Sequence, residues 1–463
     1  MTVETEKQLN YKNKVILAPM VRFGTLPMRL LALEFGAEIV YTEELIDLKL
    51  IKSKRRFNSA LDTIDFVDPS DGTIVFRTCE KERSKVVLQL GTSNAQRALA
   101  VGKLIQNDVA GIDINMGCPK EFSIKGGMGV ALLAAPEKAA NILRTLCENL
   151  NIPVTCKIRI LPNLEDTIKL VQRFAATGIA AIAIHARTRD ERPQHEPHPD
   201  FIREIAKSVN IPVIANGGSR DIQKYADIFK FKELCGANSV MIARAAQLNI
   251  SIFRKEGLLP IDDVIYRYLK LSVDYDNAAH NSKYCVQNIL KELQETPRGK
   301  KFLQCQTLQQ ICEIWNLGEY CYTKQLEFKE KGNFGRREVA PGHIPDAEGP
   351  DLKRQKLEVP ELPRDVIECN IAFLRSNYTA DTQLPKTMLY TFSCQQQKQK
   401  PIYETQGINK LFRTICAYDG KKYTSSFWEK NKKQAEQGAA LVCLLNIGVV
   451  SEDSLIRNGS ILR

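Results

Sequence analysis

The sequence lacks any C-x-x-C pair, and its thirteen cysteines form no cluster with histidine at metal-ligand spacing, so neither a zinc module nor a regular disulfide framework is indicated. The thiols are expected to be reduced, and no metal is expected. No uninterrupted apolar run is long enough to span a bilayer, and the N-terminus MTVETEKQLNYKNK has no apolar core like that of a secretory leader. A soluble, cytoplasmic protein without a membrane partner is the expectation. Internal repeats are also missing, apart from a shared NIPV at Asn151 and Asn210 that reads as a turn feeding a strand.

At 463 residues the chain exceeds the roughly 250 to 300 residues at which single cores stop growing, so at least two domains are expected. The formal charge of +11 and pI near 8.9 suggest an anionic partner.

Eight short β-rich runs recur in the first half with helical patterns between them: Val15–Ala18, Ile39–Tyr41, Val86–Leu90, Gly111–Ile114, Val154–Ile158, Ala181–Ile184, Pro212–Ala215 and Ser239–Ile242. Eight βα units in a stretch of about 250 residues predict a (β/α)8 barrel. Polar or ligand-like residues follow each run: Pro19, Met20 and Val21; Glu43 and Glu44; Gln89; Asn115 with Cys118; Lys157 and Arg159; His185; Asn216, Gly217 and Gly218; Ala243 and Arg244. Barrel enzymes keep their active sites at this end of the strands. Taken singly, Cys118 reads equally as a small buried hydrophobe, His185 as a structural histidine, and Glu43 or Glu44 as a helix N-terminal charge.

The stretch GIDINMGCPKEFSIKGGMG, Gly111 to Gly129, reads as a buried strand emptying into a glycine-rich loop that carries Asn115, Cys118 and Pro119. In VTCKIRI, Lys157 and Arg159 alternate with Cys156 and Ile158 and so face one side of a strand. Two cations there call for an anionic ligand, or one that becomes anionic. Asn216-Gly217-Gly218 and Ala243-Arg244 follow the seventh and eighth runs, where this fold cradles phosphate. A phosphorylated cofactor follows, and flavin mononucleotide (FMN) is favoured because Lys157 could hold the charge of a reduced flavin ring.

The ordered set APMV (Ala18–Val21), QLG (Gln89–Gly91), NMGCPK (Asn115–Lys120), CKIR (Cys156–Arg159), IHAR (Ile184–Arg187) and IANGG (Ile214–Gly218) resembles tRNA-dihydrouridine synthases, in particular the eukaryotic dihydrouridine synthase 2 type. The resemblance covers the first half of the chain. It implies an NADPH-dependent flavoenzyme that reduces the 5,6 double bond of a tRNA uridine, at position 20 of the D-loop. It further implies that Cys118 is the general acid protonating carbon 5 while reduced FMN gives hydride to carbon 6. Asn115, Lys157, Arg159 and His185 match flavin- and uridine-contacting positions. Pro19, Met20, Val21, Gln89, Asn216, Gly217, Gly218, Ala243 and Arg244 match the flavin and phosphate shell. Glu43 matches a position near the substrate, with Glu44 as the alternative. An unperturbed thiol, with a pKa near roughly 8.5, suits an acid at neutral pH.

The expected domains are a barrel over 1–256, a helical domain over 257–328, a charged linker over 329–360, an RNA-binding module over 361–448 and a tail over 449–463. In the helical part, DDVIYRYLKLSVDYDN and KYCVQNILKELQ carry helical apolar spacing; it either helps hold tRNA or only packs on the barrel. After the linker come a helix (Pro385 to Gln397), three strands (PIYET, LFRTICAY, KYTSSFW) and a closing helix, an α-β-β-β-α order that resembles a double-stranded RNA-binding domain. Lys432 and Lys433 match the lysines that such domains set against phosphates, and Lys386 starts the first helix. QGINK is expected as the loop between the first two strands and lacks the Gly-Pro-x-His type that reaches a minor groove. Expected partners are therefore tRNA and NADPH, and the protein is expected to be a monomer. Two other readings remain, a flavin oxidoreductase acting on a free pyrimidine and a non-enzymatic RNA-binding protein with a decayed barrel.

Overall fold

The computed structural model describes residues 9–68, 73–331, 362–378, 382–408, 411–429, 431–458 and 460–461. They divide into two compact units, one of residues up to 66 with 75–324 and one of residues 67–74 with those from 325 onward.

Eight parallel strands close the barrel of the first unit: β1 (Val15–Leu17), β2 (Ile39–Tyr41), β3 (Val86–Gly91), β4 (Gly111–Met116), β5 (Val154–Arg159), β6 (Ala181–His185), β7 (Val213–Asn216) and β8 (Ser239–Ile242). Each pairs with the next, and β1 also pairs with β8, which completes the ring. Every β residue run read from the sequence is one of these strands. Period-two alternation sorts their side chains into two cores. Ile16, Ile39, Tyr41, Val87, Ala181, Ala183, Ile214 and Met241 fill the barrel. Leu17, Val40, Leu88, Ile112, Ile114, Cys156, Ile158 and Ile182 face outward, into the layer of helices.

Between β2 and β3 the chain makes an excursion that carries a three-stranded sheet, Lys54–Asn58, Thr63–Val67 and Ile74–Thr78. It is fastened by the fully buried pair of Arg29 and Glu82, joined at 2.8 and 2.6 Å, with Thr78 Oγ1 donating to the same carboxylate. Arg77 grips Asp65 and donates to the carbonyl of Tyr275. A buried ion pair costs desolvation, and here each charge is met by several hydrogen bonds.

Helices follow the barrel: Ile261–Asp274, Ala279–Leu290, Pro297–Gln304, Leu308–Ile314 and Gly318–Glu330. The last runs past the boundary expected at 328. Asn281 accepts from Thr25 Oγ1 and donates to the carbonyl of Arg22, so a helix of this domain braces the loop after β1. No helix among the described residues is long and apolar enough to cross a membrane.

The second unit holds the helix Pro385–Gln395, the antiparallel strands Ile402–Ile408, Leu411–Tyr418 and Lys421–Ser425, and the helix Lys432–Asn446. Three expectations need correction. QGINK is not all loop: Gln406, Gly407 and Ile408 continue the first strand, because pairing runs on to Ile408 opposite Leu411, while residues 409 and 410 lie outside the described residues. An additional strand, Val366–Cys369, pairs parallel to Lys421–Ser425 ahead of the first helix. The segment 449–463 is not a mere tail, since helix Glu452–Arg457 buries Leu455 in the same core as Leu389, Tyr423 and Val442. Most of the expected linker lies outside the described residues.

Candidate active site

Strand register brings the polar residues together at the C-terminal end of the barrel. Gln89 stands opposite Asp113, Asn115 opposite Lys157, Arg159 opposite His185, and His185 opposite Asn216. Five adjacent strands thus deliver one continuous row of inward-facing polar groups.

Hydrogen bonds tie this row to the thiol loop. Thr155 Oγ1 donates to Asp113 Oδ1 at 2.7 Å, and Gln89 Nε2 donates to Asp113 Oδ2 at 2.8 Å. The acceptor-only carboxylate fixes which way the Gln89 amide faces. Its Oε1 then accepts from Asn115 Nδ2 at 3.2 Å, which leaves Asn115 Oδ1 to take the backbone N–H groups of Gly117 and Cys118 at 2.9 and 3.0 Å. Asp113 at the barrel floor therefore sets the loop that holds Cys118. Neither Asp113 nor Thr155 stood out in the sequence, because their partners are on neighbouring strands.

Cys118 is half-buried, and Ser123 Oγ donates to its Sγ at 3.2 Å. Gly129 lies at φ +59, and a Cβ there would sit 2.5 Å from the Cys118 carbonyl, so a glycine is required for the loop to close on itself. Arg159 donates from Nε to Gly117 O at 3.0 Å and from Nη1 to Thr188 O at 2.8 Å. Its guanidinium clamps the loops after β4 and β6.

Burial decides the charge states. It raises the Asp113 carboxyl to about 6, against the pull of Gln89, Thr155 and Lys157. Burial, aided by Arg159, lowers the Lys157 ammonium to about 8. His185 is pushed well below its ordinary value by burial and then by Lys157, Arg159, Arg187 and Arg244, so the imidazole is neutral. Arg187 Nη1 stands 3.4 Å from His185 Nε2, which assigns the proton to Nδ1.

Around β7 and β8, Asn216 Nδ2 donates to Met241 O at 2.8 Å, and Gly217 takes φ +122. A Cβ on Gly218 would meet the Phe231 ring at 2.4 Å. Arg187 Nη1 donates to Gly217 O at 2.8 Å, while its Nη2 is buried with no partner. Ala243 precedes the exposed Arg244 at the start of a short helix. An orphaned guanidinium nitrogen beside a glycine turn fits a phosphate group, and the lowered Lys157 fits a ring that gains negative charge. Pro19 and Met20 are half-buried after β1, whereas Val21 is exposed. Glu43 Oε2 accepts from Arg22 N at 2.7 Å and so is tied to that loop, while Glu44 lies beside Cys118. Among the described residues there is no group of three or more acidic, histidine or cysteine side chains that could hold a metal.

In the second unit, Lys432 and Lys433 are exposed in the first turn of a helix capped by Asn431, whose side chain accepts from Lys433 N. Lys386 differs: its ammonium pairs with Glu436 and lies 4.5 Å from the Tyr403 ring centroid, so it is held within its own domain.

The fold defines a barrel protein with a thiol-bearing loop at the C-terminal end of its strands, and a double-stranded RNA-binding fold. The family model described as Dihydrouridine synthase (Dus) matches residues 16–261, and that described as Double-stranded RNA binding motif matches residues 385–447. A tRNA-dihydrouridine(20) synthase [NAD(P)+] of Schizosaccharomyces pombe is 40% identical over 293 residues, covering 61% of this chain and 60% of that protein. Its namesake from Saccharomyces cerevisiae is 38% identical over 305 residues, covering 61% of this chain and 78% of its own. A crystal structure of a tRNA-dihydrouridine(20) synthase dsRBD domain is 38% identical, covers 18% of this chain and 89% of its own, and has a TM-score of 0.17. The chain belongs to the dihydrouridine synthase family.

Proposed function

We propose that this protein reduces the 5,6 double bond of a uridine in tRNA, at position 20 of the D-loop, with NADPH as reductant and FMN as the bound carrier. The observation that carries the reading is the Cys118 loop, fixed at the barrel's C-terminal end through Asn115, Gln89 and Asp113. When bound, FMN supplies the hydride that adds to carbon 6. Lys157 and His185 would face its ring, Gln89 and Asn115 its edge, and Gly217, Gly218, Arg187 and Arg244 its phosphate, with Pro19, Met20, Val21, Asn216 and Ala243 completing the walls.

The chain's own residues do the rest. The Cys118 thiol gives its proton to carbon 5, and Ser123 Oγ, donating to Sγ, stabilises the thiolate left behind. Arg159 keeps the loop in place through Gly117 O. Glu43, braced on the Arg22 backbone, stands at the substrate side. Lys432 and Lys433 add phosphate contacts, where side-chain charge and helix N-terminus act together. Lys386 contributes indirectly, by holding the two helices of the module together through Glu436.

The test is to map dihydrouridine in tRNA from cells lacking this protein, then restore it with the parent chain or with Cys118→Ala. Loss at position 20, restored by the parent alone, is expected. Unchanged dihydrouridine at every position would refute the reading, and loss at a different position would correct the target.

A further inference from the structure

Glu44 has no task in the reaction as proposed so far. Its Oε1 is buried and has no hydrogen-bond partner, and its carboxyl lies within interaction reach of the Cys118 thiol. The end of β3 makes room for it: a Cβ on Gly91 would stand 2.7 Å from Glu44 Oε1. Ser123 also meets the thiol, but a serine hydroxyl has no proton to release near neutral pH. A carboxyl does.

We propose that Glu44 is a positioning residue for Cys118 and returns to it the proton that the thiol gives up. The inference rests on the proposed uridine reduction. In one turnover hydride from the reductant forms the C6–H bond, the Cys118 S–H bond breaks, and the C5–H bond forms with the electron pair of the former double bond. The thiolate pair then takes the Glu44 carboxyl proton, breaking O–H and re-forming S–H. The carboxylate recovers one proton from water, and the cycle balances. Burial raises the Glu44 carboxyl above its ordinary value, with Cys118 and then Lys120 pulling against it, so a protonated fraction persists nearer neutrality. The other charges bearing on the thiol are Lys157 and Arg159 of β5.

Two measurements on the purified full chain and its Glu44→Gln variant test this. In the first, iodoacetamide labelling of Cys118 is followed against pH by peptide-resolved mass spectrometry, which needs no turnover. A carboxyl coupled to the thiol gives the parent a two-step profile, and Glu44→Gln a single step. Superimposable profiles would overturn the proposal. In the second, pre-reduced enzyme is followed through its first turnover and then at steady state. The first turnover of Glu44→Gln should stay within about twofold of the parent, because Glu44 acts only after the S–H bond has been spent. Steady-state dihydrouridine formation should fall roughly tenfold or more and recover when acetate or another small acid is added. Equal loss in both phases without rescue would also overturn it. A parent chain that makes no dihydrouridine yet shows the two-step labelling would refute the uridine reaction and leave the pairing of Glu44 with Cys118 standing.

Discussion

At the scale of single residues, Cys118 and Lys157 perform separable tasks. Cys118→Ala removes the proton donor but none of the groups assigned to the flavin ring or its phosphate. Dihydrouridine formation should fall by about 10² to 10⁴, the usual worth of one general acid, while NADPH oxidation by the bound flavin and tRNA binding persist. Turnover assays with each readout check this, and parent-rate uridine reduction would make Cys118 a bystander. Lys157 predicts a pH dependence. Its ammonium, lowered to about 8, is a cation below that pH and loses its charge above it. Affinity for reduced FMN, whose ring carries the negative charge, should therefore weaken as pH rises past about 8, somewhat later once the bound anion itself favours the charged lysine. Anaerobic titrations of reduced FMN across this range should show the fall in the parent and none in Lys157→Met.

At the scale of elements, the row of strand ends depends on Asp113, whose carboxyl is raised by burial from an ordinary 3.8 to about 6. A folded value above the unfolded one means that folding favours the protonated form. This group's contribution to stability is therefore complete below about pH 4 and lost as pH rises through about 6, with an upper bound of about 3 kcal/mol. In Asp113→Asn that leg should vanish, so the stability difference between parent and variant should change over this window; parallel denaturation curves at pH 4.5 and 7.5 would refute it. The eight barrel strands were legible because parallel strands buried on both faces read as near-continuous aliphatic runs. The excursion after β2 was not: KRRFN is charged and largely exposed, with no apolar alternation to mark it as a strand. Asp113 and Thr155 escaped notice for another reason. Their roles depend on partners brought close only by register or loop folding, which residue types along one strand do not announce. QGINK reads as a loop in the sequence, but ladder pairing of Gln406, Gly407 and Ile408 carries the strand on.

At the scale of the whole molecule, chemistry and RNA affinity are assigned to different units. Lys432→Ala with Lys433→Ala should weaken tRNA binding and flatten its salt dependence, since each lost phosphate contact removes released counterions from the slope. NADPH oxidation should be untouched. Truncation before Glu361 should act more strongly in the same direction. Three superimposable salt titrations, for the full chain, the lysine variant and the truncation, would remove the RNA-binding role from the second unit.

The grip of Arg77 on the Tyr275 carbonyl joins residues 198 positions apart, and that of Asn281 on Arg22 spans 259. On a ribosome adding about 5–20 residues per second, the shorter interval alone corresponds to roughly 10 to 40 s. Throughout that time the nascent excursion lacks its last partner, and β1 waits for β8 to close the ring. The first quarter of the chain is thus held open by the order of synthesis, a span in which a chaperone has more to protect than at any later point in the barrel's assembly.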